Sequence, residues 1–195
     1  MEIVWKIING PVLIAPKIFK DDRGYFYESF NEADFKINVA DVDFVQDNQS
    51  VSSYGVLRGM HCQTDDSAQA KLVRVVKGAV IDVVVDARKD SLFFGEVYHA
   101  YLSEHNHRQF FVPRGFLHGF LSLEENTVFQ YKCDNYYDKD SERSFNYRTI
   151  FDWSAYVDPA CIKVSEKDDA APYFDFMKMK RRLILHDENQ NDSIK

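Results

Sequence analysis

The chain has 195 residues, 45% of them hydrophobic and 28% charged, which suits one domain around a sizeable core. Its 24 basic and 31 acidic residues leave a net charge of −7, which argues against a general nucleic-acid or membrane binder, because those present a basic face. Three widely spaced cysteines, Cys62, Cys133 and Cys161, read as free thiols in a reducing compartment, and residues 1–9 are too polar for a signal peptide, so a cytoplasmic protein is expected.

In chain order, residues 31–36 suit one or two helical turns. Short apolar runs then recur between glycines at 55, 59, 78, 95, 115 and 119. Residues 73–76, 80–85, 98–102, 110–112, 116–123 and 128–131 read as strands, with Pro113–Gly115 as a turn. Sixteen Phe and eleven Tyr fit β structure and ligand stacking. Many short strands with little helical periodicity predict an all-β sandwich or barrel. Residues 173–185 mix apolar and basic side chains at helical spacing, which predicts a C-terminal helical tail. A single domain over 1–186 is expected, with a frayed polar tail at 187–195.

Three segments concentrate chemistry. They are Gly55-Val56-Leu57-Arg58-Gly59-Met60-His61-Cys62-Gln63, then Gln69-Ala70-Lys71-Leu72-Val73-Arg74, then Pro113-Arg114-Gly115-Phe116-Leu117-His118-Gly119-Phe120. Together they resemble the two cupin motifs, which implies a jelly-roll barrel. A metal cupin offers three His and one Glu. Here Gln63 stands for the second His and Lys71 for the Glu. An ammonium repels a cation and an amide is a poor ligand for iron, zinc or copper. His61 and His118 alone are too few for the usual site. The barrel therefore reads as metal-free, with the Lys71 charge available to stabilise an oxyanion such as an enolate.

A wider set resembles the dTDP-4-dehydrorhamnose 3,5-epimerase family. It adds Asp22-Arg23-Gly24-Tyr25-Phe26-Tyr27-Glu28-Ser29-Phe30, Phe44-Val45-Gln46-Asp47-Asn48, Tyr131-Lys132-Cys133 with Tyr136-Tyr137, and Ser165-Glu166-Lys167-Asp168. The resemblance implies a dimeric cupin without a cofactor, acting on a dTDP-linked 4-keto-6-deoxy sugar by α-proton abstraction and return. By position, His61 would be the base, Asp168 its orienting partner, Lys71 the cation at the C4 oxygen and Tyr131 the acid. Arg58 and His118 would line the sugar site. Arg23, Glu28, Gln46 and Asn48 would hold the nucleotide, with the Arg23–Glu28 strand exchanged onto the partner subunit. Glu142 and Lys167 would be further ligand contacts. Whether C3 and C5 or C3 alone is inverted stays open.

Blander readings stand beside these. Arg23 follows Asp21 and Asp22 and suits a turn ion pair. Asp168 suits a helix cap, Cys62 pocket packing, and Tyr136 or Tyr137 suits stacking on the base as well as Tyr131 does. His99, His105, His107 and His186 read as exposed polar residues. A metal-dependent cupin oxygenase or isomerase and a non-catalytic sugar-nucleotide-binding cupin are the alternative functions.

Overall fold

The computed structural model describes residues 1–175. Its elements follow in chain order: β1 (Glu2–Lys6), β2 (Val12–Ala15), the hairpin β3 (Phe19–Asp21) and β4 (Gly24–Phe26), helix α1 (Glu32–Asn38), β5 (Gln46–Ser52) and β6 (Leu57–Gln63). Then come β7 (Lys71–Lys77), β8 (Ala79–Asp86), β9 (Val97–Ser103), β10 (Gln109–Val112), β11 (Phe116–Ser122), β12 (Thr127–Cys133), β13 (Glu142–Ser144) and the short helix α2 (Glu166–Asp169). The six strands expected from sequence correspond to β7 through β12. The expected helical tail lies, except for its first three residues, outside the described residues, as do His186 and the polar end.

The strands form two antiparallel sheets, ordered β1-β2-β10-β7-β12-β5 and β13-β6-β11-β8-β9, closed face to face as a cupin-type jelly roll. Their inner faces share one apolar core, in which Val73, Phe110 and Phe129 of the first sheet meet Val84, Phe116 and Phe120 of the second. A second core covers the outside of the smaller sheet, where Leu57, Met60 and Val83 lie beneath Tyr147, Trp153 and Phe174. Strand β8 thus has apolar cover on both faces, which explains its unbroken run of buried residues. Each such side chain contributes roughly 1.5–3 kcal/mol by leaving water.

The helix α1 begins at Asn31, whose side chain accepts from the Asp34 amide, and it buries Phe35 against Phe111 and Phe44. The β3–β4 hairpin stands apart as its own two-stranded ribbon, with Phe19, Tyr25 and Phe26 exposed. His107 corrects the sequence reading: it is buried, with its ring packed 4.7 Å from Tyr25 and 5.1 Å from Tyr27. Nothing in the local sequence marked it, because the rings that cover it lie some eighty residues earlier.

Two glycines let β6 approach β11. A Cβ on Gly59 would stand 2.6 Å from the Gly119 Cα and 2.8 Å from the His118 carbonyl, and its φ is +122°. Both obstacles are backbone and cannot swing aside. Gly59→Ala is expected to cost about 3 kcal/mol, read as a lower urea midpoint at unchanged slope. Stability within about 0.5 kcal/mol of the parent would contradict this account.

Candidate active site

Between the sheets opens a cavity of about 530 Å³. Its floor follows from strand pairing. His61 on β6 lies opposite His118 on β11, and Lys71 on β7 lies opposite Cys133 on β12. Because side chains alternate across a strand, Lys71, Tyr131 and Cys133 share the inner face of the larger sheet. Asn48 joins them from β5, where it pairs with Tyr131.

His61 and Asp168 form the tightest contact of the site. The imidazole Nε2 lies 2.6 Å from the Asp168 carboxylate, whose side chain is only 6% exposed. In the neutral ring, Nε2–H donates to that acceptor and Nδ1 keeps a free lone pair. Nδ1 has no hydrogen-bond partner among the described residues. Burial would raise the Asp168 carboxyl, but the His61 hydrogen bond and charge, the Ser165 hydroxyl and the Gly59 amide hold it below the usual carboxylate range. Asp168 is not the helix cap. Ser165 is, accepting from the Asp168 amide at 3.1 Å, and that cap holds the carboxylate toward His61.

Lys71 is half-buried, with its ammonium 5.7 Å from the centre of the Tyr131 ring. Burial pulls the ammonium below the ordinary lysine range, against the attraction of Cys133, Cys62, Asp82 and Glu142. Burial and Cys133 push the Tyr131 phenol above its ordinary value, so it keeps its proton. Of the three tyrosines weighed from sequence, Tyr131 alone lines this cavity; Tyr136 and Tyr137 are 68% and 57% exposed.

His118 lines the cavity and binds a fully buried carboxylate, Asp82, at 2.9 and 3.0 Å. Burial raises the Asp82 carboxyl, and the charge and hydrogen bond of His118 offset only part of that. Asp82 is not among the residues that the sequence reading singles out. An acid within Ala79-Val80-Ile81-Asp82-Val83-Val84-Val85 was itself the signal, because a buried charge needs a partner.

The remaining candidates divide. Arg58, Asn48 and Lys167 line the cavity. Gln46 stands behind Asn48, to which it donates at 3.1 Å. Glu142 pairs with Lys167 and accepts from the Tyr137 hydroxyl at 3.3 Å. Arg23 and Glu28 do not reach the cavity of their own chain. Arg23 is the turn ion pair with Asp21, at 2.6 Å and 91% exposed, and Glu28 is exposed. Cys62 packs against the outer apolar core.

Gln63, where a metal cupin has its second His, spends its amide on main chain. It donates to the Ser67 and Tyr136 carbonyls at 2.6 and 3.2 Å and accepts from the Asp138 amide at 2.8 Å. Among the described residues, no group of three His, Cys, Asp or Glu side chains converges as metal ligands. A larger hollow of about 840 Å³ lies elsewhere, but its Arg88 and Arg114 are paired with Asp86 and Asp134, and no His, Cys, Ser or Tyr lines it.

Residues 6–175 match the family model of dTDP-4-dehydrorhamnose 3,5-epimerase. The dTDP-4-dehydrorhamnose 3,5-epimerase of Salmonella typhimurium is 43% identical over 179 residues, covering 90% of this chain and 96% of that protein. The crystal structure of the same enzyme from Elizabethkingia anophelis superposes with a TM-score of 0.83 at 47% identity, over 89% of this chain and 96% of that one. A Legionella pneumophila dTDP-6-deoxy-D-glucose-3,5-epimerase, solved with dTDP-4-keto-L-rhamnose, gives 0.82 at 41% identity, over 88% and 92%. A jelly roll that brings His61, Asp168, Lys71 and Tyr131 into one cavity, and a sequence match along nearly all the described residues, agree: the chain belongs to the dTDP-4-dehydrorhamnose 3,5-epimerase family.

Proposed function

We propose that this chain epimerises a dTDP-linked 4-keto-6-deoxy sugar by moving protons on the carbons beside the ketone. The observation that carries the reading is the joint placement of a carboxylate-held imidazole, a buried ammonium and a protonated phenol around one cavity. His61 Nδ1 removes the C3 proton, and the charge that forms on the C4 oxygen is met by the Lys71 ammonium. Tyr131 returns a proton to the opposite face, as inversion requires. The resulting imidazolium and phenolate exchange protons with water, which restores the starting state. The same cycle at C5 completes a double inversion. This chemistry transfers only protons and consumes no redox cofactor.

The test is incubation with dTDP-4-keto-6-deoxyglucose in deuterated water, followed by NMR. Deuterium at C3 and C5 is the expected result. Deuterium at C3 alone would make the enzyme a mono-epimerase, and exchange at neither carbon by folded protein would overturn the reading.

The reading extends to a cytoplasmic homodimer in which the β3–β4 hairpin crosses to the partner. Its support is that Arg23 and Glu28 lie away from their own cavity while the ribbon exposes Phe19, Tyr25 and Phe26. Arg23→Ala and His61→Asn are then each expected to be poorly active as homodimers. Co-expressed, they should regain up to about a quarter of parental activity, because one site of the mixed dimer has both residues intact. No recovery in a purified mixed dimer would refute the crossing. No helix among the described residues is long and apolar enough to cross a membrane.

A further inference from the structure

Four lining residues of the cavity are basic, Arg58, Lys71, Lys163 and Lys167, against one carboxylate, Asp168. In a chain of net charge −7 this is a local reversal of sign. The pairing inside the cavity sharpens it. Asp168 is taken by His61 and Lys167 by Glu142. Lys71 lies deep, over the Tyr131 ring. At the exposed rim stand Arg58 and Lys163, neither of which makes an ion pair among the described residues.

The position of Lys163 follows from backbone alone. Its amide donates to the Gly55 carbonyl at 2.9 Å, and its carbonyl accepts from the Leu57 amide at 2.9 Å, forming a parallel bridge opposite Val56. Its neighbours Ile162 and Val164 pack against the outer apolar core. In this extended stretch the side chain between them points the other way, toward the cavity mouth beside Arg58. The bridge does not involve the side chain, so the location survives substitution.

We propose that Lys163 is a diphosphate-binding residue of this site, acting with Arg58 on the two phosphates that join the nucleoside to the sugar. The assignment rests on the sugar-nucleotide reading above. A diphosphate carries charge that must be met when it leaves water, and an unpaired ammonium on a flexible four-carbon stem from a fixed backbone meets it as a mobile point charge. Arg58 is already oriented, with its guanidinium donating to the Ser52 hydroxyl at 3.2 Å and the Val51 carbonyl at 3.3 Å. The two residues divide the work: Arg58 supplies a fixed fork and Lys163 an adjustable charge. Because the diphosphate is bound alike in ground and transition states, Lys163 lowers KM and leaves kcat alone.

The test compares the parent, Lys163→Met and Lys163→Arg by calorimetric titration with dTDP and by steady-state epimerisation. Lys163→Met is expected to weaken dTDP binding and raise KM about tenfold, with kcat changed less than twofold. Its dTDP affinity should also fall less steeply with added salt than the parent's. Lys163→Arg should recover most of the loss. Binding and KM within twofold of the parent in Lys163→Met would overturn the assignment and leave the epimerase reading standing. So would a fall in kcat at constant KM. A parent that neither binds dTDP nor exchanges substrate protons would overturn both.

Discussion

His61→Asn is expected to lose solvent-deuterium exchange at the substrate carbons by about a thousandfold, within the range of general-base contributions. The loss should appear in kcat, with dTDP affinity kept within threefold. The reason is local. Among the described residues, the His61 ring lines the cavity with one nitrogen held by a carboxylate at 2.6 Å and the other without a partner, and its side chain is 28% exposed. His118 also lines the cavity with its Nε2 on a carboxylate, Asp82, but its side chain is only 7% exposed and so less open to a substrate carbon. Residual exchange near the parental rate would move the base to His118. The substitution also bears on acid stability. The Asp168 carboxyl is held below its ordinary value of 3.8, so its stabilising contribution is present above that value and fades as pH falls through the lower folded one. Without His61 the carboxyl loses its main favourable partner while its burial remains, so its folded value rises and the stability that Asp168 loses between 3.8 and that value shrinks. Urea titrations from pH 3 to 6 would show this weaker acid dependence.

Lys71→Met is expected to lower kcat by about two to three powers of ten and to make the folded protein more stable by about 1 kcal/mol. The two effects share one cause. Burial lowers the affinity of the Lys71 amine for its proton relative to the ordinary value of 10.5. The folded state therefore binds this proton less tightly than the unfolded state, and at neutral pH the buried charge costs stability. Methionine removes that cost and fills similar space. It also removes the cation that would meet the enolate oxygen. The same depressed value sets the alkaline limb of the parental pH profile. The ammonium discharges as pH rises through a value below 10.5, and the Tyr131 phenol is pushed above its ordinary 10.0. Activity should fall on the alkaline side as these groups lose their protons, and Tyr131→Phe should lower kcat and leave the lysine's share of that limb in place. A Lys71→Met variant with parental kcat, or one less stable than the parent, would contradict this account.

Much of the architecture was legible in sequence because strand periodicity and turn residues are local signals. The runs that became β7 through β12 were marked by apolar residues between glycines. β1, β2, β5 and β6 were not foreseen as strands. In β5 only alternate residues face inward and the sequence Gln46-Asp47-Asn48-Gln49-Ser50 is polar throughout, so no apolar pattern announces it. The chemical types of the site were legible too, since Lys71 in place of an acid and Gln63 in place of a histidine are visible as substitutions in a motif.

The sequence alone was therefore enough for the class of structure and for naming His61, Asp168 and Lys71 as the candidate base, its partner and the cation, because motif residues are read locally. Which groups face one another followed only from the closed fold. It separated Tyr131 from Tyr136 and Tyr137, buried His107, paired His118 with Asp82, made Ser165 rather than Asp168 the helix cap, and set Lys163 at the cavity mouth. The physical reason is that these facts depend on contacts between residues far apart in the chain. His61 and Asp168 are 107 positions apart, and His118 and Asp82 are 36. Sheet register, cavity shape and the burial of a charge arise only when both sheets close, and no local pattern encodes them.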